Sequence, residues 1–146
     1  MPHAPLLPSL SALPKPGQRL DLPALPGSAD ALALARLAGR QPLVVVTASA
    51  GDAQRLLEEI PWFAPDLRVR LLPDWETLPY DHFSPHHDLV SERLATLWAS
   101  LQGEVDVLLV PAATAVYRLP PPAFLAAYTF AFRRGDRLDE ENLRRQ

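Results

Sequence analysis

LPDWETLPYDHFSPHHDLVSERLATLW, residues 72–98, is the stretch from which the rest of the chain is interpreted. Three prolines in its first half each remove a backbone donor and fix one dihedral angle, and three short polar residues favour turns. These residues are Pro73, Pro79, Pro85, Asp74, Asp81 and Ser84. The first half is therefore predicted to be an ordered loop. It also holds Trp75, Tyr80 and Phe83, which we expect to pack against the domain, because three exposed rings would form a large apolar patch.

The second half of this stretch has the periodicity of an amphipathic helix that begins near Asp88. The positions that recur on one face are Leu89, Val90, Arg93, Leu94, Leu97, Trp98 and Leu101. Asp88 is the expected N-cap. Trp98 is expected in the core because it shares a face with Leu94 and Leu101, so that Trp98→Ala would cost about 3 to 5 kcal/mol.

Length and composition limit the possible functions. The 146 residues are enough to bury the core of one domain, and without cysteine the chain has neither a disulfide nor a thiolate metal site. No apolar run approaches the roughly 20 residues that span a bilayer, and the start lacks the pattern of a secretory signal. We therefore expect a cytoplasmic protein without membrane contacts. The net charge of -3 gives no long-range attraction to DNA.

Segments typical of strands and helices alternate along the middle of the chain. Helices are expected from Ser28, as N-cap, to Gly39 with Leu32, Leu34 and Leu37 packing inward, from Gly51 to Ile60, from Asp88, and from Pro111 to Leu119 before three prolines. Strands are expected at Leu43–Thr47, Val69–Leu72 and Val105–Val110. The first strand is interpreted as central and covered on both faces, because it is a continuous β-branched run. This alternation predicts an α/β fold, with a parallel sheet and flanking helices.

The two ends of the chain differ from its middle. Residues 1–17 are interpreted as a flexible, proline-rich leader, and residues 18–126 as the α/β domain. Residues 127–146 are interpreted as the start of a second, small α+β domain, with a strand from Tyr128 to Arg133 and a helix capped by Asp139. Because one strand and part of a helix cannot bury their own apolar faces, this tail is expected to be the least stable part.

Four stretches together resemble the N-terminal end of bacterial transcription-repair coupling factors (Mfd), whose first module is similar to the DNA-repair protein UvrB. They are PDWETLPYDHFSPH at 73–86, SERLATL at 91–97, VYRLPPPAFL at 116–125 and GDRL at 135–138. The family-motif loop comprises Asp74, Trp75, Glu76, Pro79, Tyr80, Asp81, Phe83, Ser84, Pro85 and His86. The resemblance implies a helicase-like P-loop NTPase fold, followed by a small domain that docks onto UvrA.

ALPGSADA, at residues 24–31, stands where the resemblance places the phosphate loop. Such a loop needs glycines that expose backbone donors, a lysine for the phosphates and a hydroxyl for magnesium. Gly27 and Ser28 are retained, but Ala24 and Ala29 replace glycines, Asp30 replaces the lysine and Ala31 the hydroxyl residue. A carboxylate would repel the triphosphate, so we expect a degenerate Walker A loop that binds no ATP and no other cofactor. A second interpretation, in which GSAD is only a helix cap, leads to the same expectation.

The resemblance implies a recruiting function and not an enzyme. UvrB has an aromatic β-hairpin between the matching loop and helix, but the segment SPHHD after Phe83 is too short for two strands and a turn. The module would help recruit UvrA to stalled RNA polymerase in nucleotide excision repair. Its parent would use ATP and magnesium in a C-terminal DNA translocase motor, and would contact RNA polymerase and DNA through other parts. The alternatives are a UvrB-type ATP-dependent repair helicase subunit and a metal-dependent hydrolase.

Two groups of polar residues in the loop could carry chemistry. Imidazole and carboxylate groups at Asp81, His82, His86, His87 and Asp88 have the character of zinc or iron ligands. The resemblance offers no metal, and adjacent histidines would need a bent loop to converge, so no metal site is assigned. Asp74, Glu76 and Asp81 could act as general acid and base, but no nucleophile or oxyanion cradle accompanies them. We therefore interpret them as capping and turn residues, and assign no catalytic residue.

Overall fold

Three parallel strands form the sheet of the computed structural model, which describes residues 14–75, 82 and 84–128. The strands are β1 (Leu43–Thr47), β2 (Val69–Leu71) and β3 (Val107–Pro111), in the order β1-β3-β2. The helices are α1 (Ala29–Ala38), α2 (Ala50–Phe63), α3 (His87–Leu101), α4 (Ala112–Ala115) and α5 (Pro122–Tyr128). The predicted α/β fold with a parallel sheet and flanking helices is confirmed.

The central position belongs to β3, the last strand in the sequence. Val107 lies opposite Leu43 of β1 on one side and opposite Val69 of β2 on the other. An ion pair fixes the start of the β2–β3 pairing, because the Asp106 carboxylate accepts from the backbone N–H of Arg68 at 2.8 Å and from its guanidinium at 2.7 and 2.9 Å. Both outer strands, β1 and β2, are therefore hydrogen-bonded to the central strand β3.

One face of the sheet, called here the first face, is covered by α1 and α2. Its core consists of Ala31, Ala35, Ala38, Ala53, Leu56, Ile60, Val107 and Leu109. The predicted inward residues of α1 are wrong in part: its alanines are the buried residues, whereas Leu32, Leu34 and Leu37 are half-buried. Four alanines at this contact let the two helices approach closely, and the longer leucines lie beside the contact.

The opposite face of the sheet, called here the second face, is only partly covered. Leu72, Leu97, Val110 and Leu125 form its core, to which α3 and α5 contribute. On β1 the same face leaves Val44 70% and Val46 59% exposed. The prediction that Leu43–Thr47 is a central strand covered on both faces is therefore wrong. β-branched residues suit any pleated surface, so this pattern did not distinguish an edge strand from a central one.

The long helix α3 differs from its prediction in its cap and in its buried face. His86 is the N-cap, and its Nδ1 accepts from the backbone N–H of Asp88 at 3.3 Å, so Asp88 is not the cap. The buried residues of α3 are Arg93, Thr96, Leu97 and Ala99. Trp98 is only half-buried, and Leu94 and Leu101 are 40% and 42% exposed. The predicted face is therefore confirmed at Arg93 and Leu97 but wrong at Leu94, Trp98 and Leu101, because the buried side of α3 also includes Thr96 and Ala99.

Proline positions also changed the predicted helix ends. Helix α2 continues through Pro61 to Phe63 and does not end at Ile60. After β3 the chain forms the four-residue α4, and Pro122 begins α5, because proline is compatible with the first turn of a helix. Tyr128 is the last residue of α5 and does not begin a strand.

Several predictions fall on residues that the structure does not describe. Residues 1–13 of the leader and the tail predicted at 129–146 lie outside the described ranges. The division into 1–17, 18–126 and 127–146 therefore stays a prediction. Within the described ranges, none of the helices is long and apolar enough to cross a membrane.

Candidate functional site

The family-motif loop leaves the sheet directly after β2. Leu72 is 2% exposed, and its N–H donates to the carbonyl of Leu109 at 2.9 Å, so it extends the contact with β3 by one residue. Pro73 follows, and then the carboxylate of Asp74 accepts from the N–H of Trp75 at 2.8 Å. This hydrogen bond joins the aspartate side chain to the next backbone N–H at the loop entry, a local bond that aspartate commonly forms outside helices and strands.

Arg93 of α3 contacts the start of this loop at two points. Its side chain is almost fully buried, at 2% exposure. The Nη1 atom donates to the carbonyl of Pro73, and the guanidinium carbon lies 4.5 Å from the centroid of the Trp75 ring. A guanidinium stacked on an indole combines a cation–π attraction with close packing. One side chain thus fixes both the backbone and the ring at the loop entry.

The charge of Arg93 is poorly solvated at this position. Burial lowers the pKa of its guanidinium, and the nearby Asp74 carboxylate and Tyr117 oppose that effect. A buried cation is costly unless hydrogen bonds and nearby charges compensate it. The hydrogen bond to Pro73, the contact with the Trp75 ring and the nearby Asp74 carboxylate therefore offset part of the cost of burying Arg93.

The other predicted loop residues are only partly within the described ranges. Ser84 is exposed, Pro85 is half-buried, and His86 caps α3. Glu76, Pro79, Tyr80, Asp81 and Phe83 lie outside the described residues. His82 and His87 are exposed. Among residues 14–75, 82 and 84–128, no three histidine or carboxylate side chains are grouped to hold a metal.

The start of α1, where the phosphate loop was placed, is a second candidate site. Gly27 has a positive φ of 54°, and Ser28 occupies the N-cap position, but within the described chain its hydroxyl caps no N–H of α1. The Asp30 carboxylate accepts from the N–H of Ala31 at 2.7 Å. A carboxylate near the positive end of a helix is a stabilising arrangement.

Asp30 also forms an ion pair across the two helices of the first face. Its two oxygens accept from the Arg55 guanidinium at 2.6 and 3.2 Å, and Arg55 donates to Glu59 at 2.7 Å. The hydrogen bond from Arg55 holds the pKa of Asp30 below its usual value. Asp30 therefore remains charged at neutral pH. The residue at the expected lysine position links α1 to α2.

A surface cavity of about 350 Å³ lies beside this ion pair and is lined by Ser28, Glu59, Trp62 and Phe63. The start of α1 thus shares its surroundings with a carboxylate and two aromatic rings. Phosphate sites in proteins place backbone N–H groups and cations around the anion. The carboxylate of Glu59 and the rings of Trp62 and Phe63 differ from such a lining.

The sequence missed the roles of Arg55 and Arg93. Arg93 was noted as one of the positions on the predicted helix face, and a basic residue among apolar ones was a usable signal of a special role. Its partners Pro73 and Trp75 lie on another element, so they could not be deduced from helix periodicity. The spacing of Arg55 and Glu59, four positions apart, was a local signal of their pair, but the link to Asp30 left none, because Asp30 is 25 positions earlier.

Comparison with known proteins gives long matches to one kind of protein. The chain is 40% identical over 134 residues to the transcription-repair-coupling factor of Escherichia coli, a match that covers 90% of this chain and 12% of that protein. The corresponding protein of Haemophilus influenzae is 40% identical over 127 residues, covering 84% of this chain and 11% of the relative. That of Myxococcus xanthus is 36% identical over 141 residues, covering 89% and 12%.

These matches cover only a small part of the relatives but most of this chain, and no family model matches. They include the family-motif loop and its anchoring helix, because nine-tenths of the chain is aligned with the Escherichia coli protein. The chain belongs to the transcription-repair-coupling factor family and corresponds to an N-terminal segment of it.

Proposed function

We propose that this segment is a non-catalytic, UvrB-like module of a transcription-repair-coupling factor. Its task is to help recruit UvrA to stalled RNA polymerase in nucleotide excision repair. ATP hydrolysis and movement on DNA belong to a motor elsewhere in the parent. The family assignment supports a role in DNA repair. The ion pair between Asp30 and Arg55 is the main observation in favour of a segment that does not hydrolyse ATP.

A negative charge lies at the beginning of α1. A functional phosphate loop would need a cation where Asp30 stands, but this carboxylate is ionised and bound to Arg55 at 2.6 Å. Releasing Arg55 toward a phosphate would break this contact and the contact with Glu59 at 2.7 Å. The beginning of α1 therefore joins helices, and a degenerate helicase-like fold serves here as a scaffold.

The family-motif loop supports a scaffold role as well. Arg93 anchors it through Pro73 and Trp75, and these groups serve to position the backbone. A loop whose described entry is fixed to the domain at Pro73 and Trp75 is suited to recognition by another domain or protein.

Calorimetric titration of the chain with magnesium ATP tests the non-catalytic part. We expect no heat of binding, whereas a UvrB-type ATPase titrated in the same buffer as a positive control should give a binding isotherm. Micromolar affinity that Gly27→Val abolishes would contradict the proposal and favour the UvrB-type ATPase. Gly17→Val is the matched control, since Gly17 also has a positive φ, of 81°, and open space around its Cα.

A pull-down with purified UvrA tests the recruiting part. Specific interfaces usually bury about 800 Å² on each partner. We propose that this surface belongs mainly to the second domain, so the 146-residue chain should retain UvrA weakly and a longer segment of the parent strongly. Strong binding by the short chain would contradict this. If Trp75→Ala then abolished it and Trp98→Ala did not, the recruiting surface would lie on the family-motif loop.

A further inference from the structure

The end of α2 carries two aromatic residues that the fold does not bury. Ile60 points into the core of the first face with 0% exposure, but Trp62 is 86% exposed and Phe63 is 44% exposed. Both rings line the cavity of about 350 Å³ beside Ser28 and Glu59. We call Trp62 and Phe63 the aromatic end of α2.

Two exposed aromatic rings favour non-specific association, and a binding role would explain why the chain has them. Tryptophan is usually one of the most buried residues, and an exposed ring beside a second one forms a sticky patch. Tryptophan and phenylalanine are also the residue types enriched in the centres of protein interfaces. Because they lie in the last turn of a helix that is packed against the sheet, these rings are presented on a rigid support.

The charges around the aromatic end are mostly negative. Glu58 and Glu59 lie four positions before Trp62 and Phe63, and residues with this spacing are neighbours on a helix surface. Exposed Asp66 follows shortly after the helix. Arg55, four positions before Glu59 on the same helix, is shared between Glu59 and Asp30, at 2.7 and 2.6 Å, so two carboxylates neutralise its charge.

We propose that the aromatic end of α2 docks a segment of another protein that presents an aliphatic side chain flanked by arginine or lysine. The aliphatic side chain would fill the cavity between the rings and Glu59. The flanking cations would pair with Glu58 and Asp66, and one guanidinium could stack on the Trp62 indole. This inference does not rest on the proposed repair function: it uses no residue of the family-motif loop, and it needs neither the presence nor the absence of ATP binding at Ser28, which lines the cavity, or at Asp30, which pairs with Arg55 beside it.

The test uses the full chain and a labelled synthetic peptide, Gly-Arg-Leu-Leu-Arg-Gly, in a fluorescence anisotropy titration. We expect saturable binding that weakens with added salt, because the charged groups are exposed. A peptide with glutamate in place of arginine, and one with serine in place of leucine, should each bind about tenfold more weakly. If wild-type protein does not bind the first peptide, or binds the glutamate peptide equally well, the proposal is wrong.

Matched surface variants locate the binding. Trp62→Ser should weaken the affinity for the arginine peptide about tenfold, as removal of a central interface residue does. Val116→Ser is the control, because Val116 is similarly apolar and 81% exposed but follows α4. Equal effects of the two substitutions would overturn the proposal. It would also be overturned if the chain self-associates and Trp62→Ser abolishes that association, since the occupant would then be a second copy.

Discussion

The two faces of the sheet are built from the same three strands but are packed differently. The first face is closed by α1 and α2 over alanines and aliphatic residues, including Ile60 and Leu109 at 0% exposure. The second face is covered by α3 and α5 over β3 and the end of β2, and leaves Val44 and Val46 of β1 exposed. It also buries polar residues, Arg93 and Thr96.

This difference indicates that the two faces contribute differently to stability and to the position of the loop. The first face has the continuous apolar packing that supplies most of the stability of a domain. The second face combines a smaller apolar core with a buried cation that positions a loop. We therefore expect stability to depend mainly on the first face and the geometry of the family-motif loop to depend on the second.

The largest effect is expected in the core of the first face. Ile60→Ala removes a fully buried side chain and leaves a cavity, so the free energy of unfolding should fall by about 4 kcal/mol. Urea unfolding followed by circular dichroism measures it. Val44→Ala, at a position 70% exposed on the other face, is the control and should cost less than about 1 kcal/mol. If Ile60→Ala and Val44→Ala lowered the free energy of unfolding by similar amounts, the proposed difference between the two faces would be wrong.

A smaller loss is expected for Trp98→Ala on α3. Because Trp98 is half-buried and not in the core, the sequence-based figure is too high, and we expect about 2 kcal/mol. The same urea experiment checks it. A cost equal to that of Ile60→Ala would show that the second face carries as much of the stability as the first.

Arg93→Met separates loop geometry from stability. It removes the hydrogen bond to Pro73 and the contact with Trp75, but also removes a buried charge, so the net cost should be only about 1 to 2 kcal/mol. The emission of Trp75, read in a background with Trp62→Phe and Trp98→Phe, should shift to longer wavelength as the ring loses its cover. Arg93→Lys should give a smaller shift. An unchanged spectrum in the methionine variant would mean that Arg93 does not position the loop.

The Arg68–Asp106 ion pair, at the start of the β2–β3 pairing, should make the stability of the domain depend on pH. Hydrogen bonds from Arg68 lower the pKa of Asp106 to about 2, against about 3.9 in an unfolded chain. The folded state therefore binds this proton less tightly, and the stabilisation is present above about pH 4 and lost as the pH falls toward about 2. Because the pair is partly exposed to solvent, we expect about 1 kcal/mol and not the full value of the shift.

The measurement for this pair is urea unfolding between about pH 2 and pH 7. Asp106→Asn should lose about 1 kcal/mol at neutral pH and show a weaker dependence on pH below about 4. Asp66→Asn is the control at an exposed carboxylate that follows α2. If Asp106→Asn and the wild type kept the same acid dependence, the stabilisation would have to come from other carboxylates.

The smallest effect is expected on the open part of the second face. Val46→Thr changes a side chain that is 59% exposed, so the free energy of unfolding should change by less than about 0.5 kcal/mol. Val110→Thr is the matched substitution, because Val110 lies opposite Val46 in the sheet but is only 6% exposed. It should cost about 1 to 2 kcal/mol, since a buried hydroxyl lacks water. Equal costs would mean that Val46 is covered in solution.

The sequence was sufficient to predict where the helices and strands lie along the chain. It was not sufficient to predict which strands pair and which helix faces pack together. Apolar runs and proline positions located β1, β2 and α3 closely, because these signals act within a few residues. The central position of β3 depends on which strands pair, and LVVVT at 43–47 has the composition of either position. The buried side of α1 was missed because alanine packing depends on the distance to α2, which no local pattern records.

The candidate site followed the same rule. Residue types alone led to the predictions of a proline-rich loop after β2 and of a degenerate phosphate loop at GSADA, and the second stays a prediction. The roles of Arg93 and Arg55 depend on partners 20 and 25 positions away in the chain. Such pairings are set by the packing of α3 and α2, so they became visible only in the folded structure.

The strand order β1-β3-β2 also determines when the sheet can form during protein synthesis. β1 and β2 do not pair with each other in the described sheet, and each takes its hydrogen bonds from β3. On a ribosome, β1 and β2 would therefore wait unpaired until Pro111 at the end of β3 has left the exit tunnel. At typical translation rates this wait lasts on the order of seconds, and in that time the valine-rich β1 is available to chaperones or to other nascent chains.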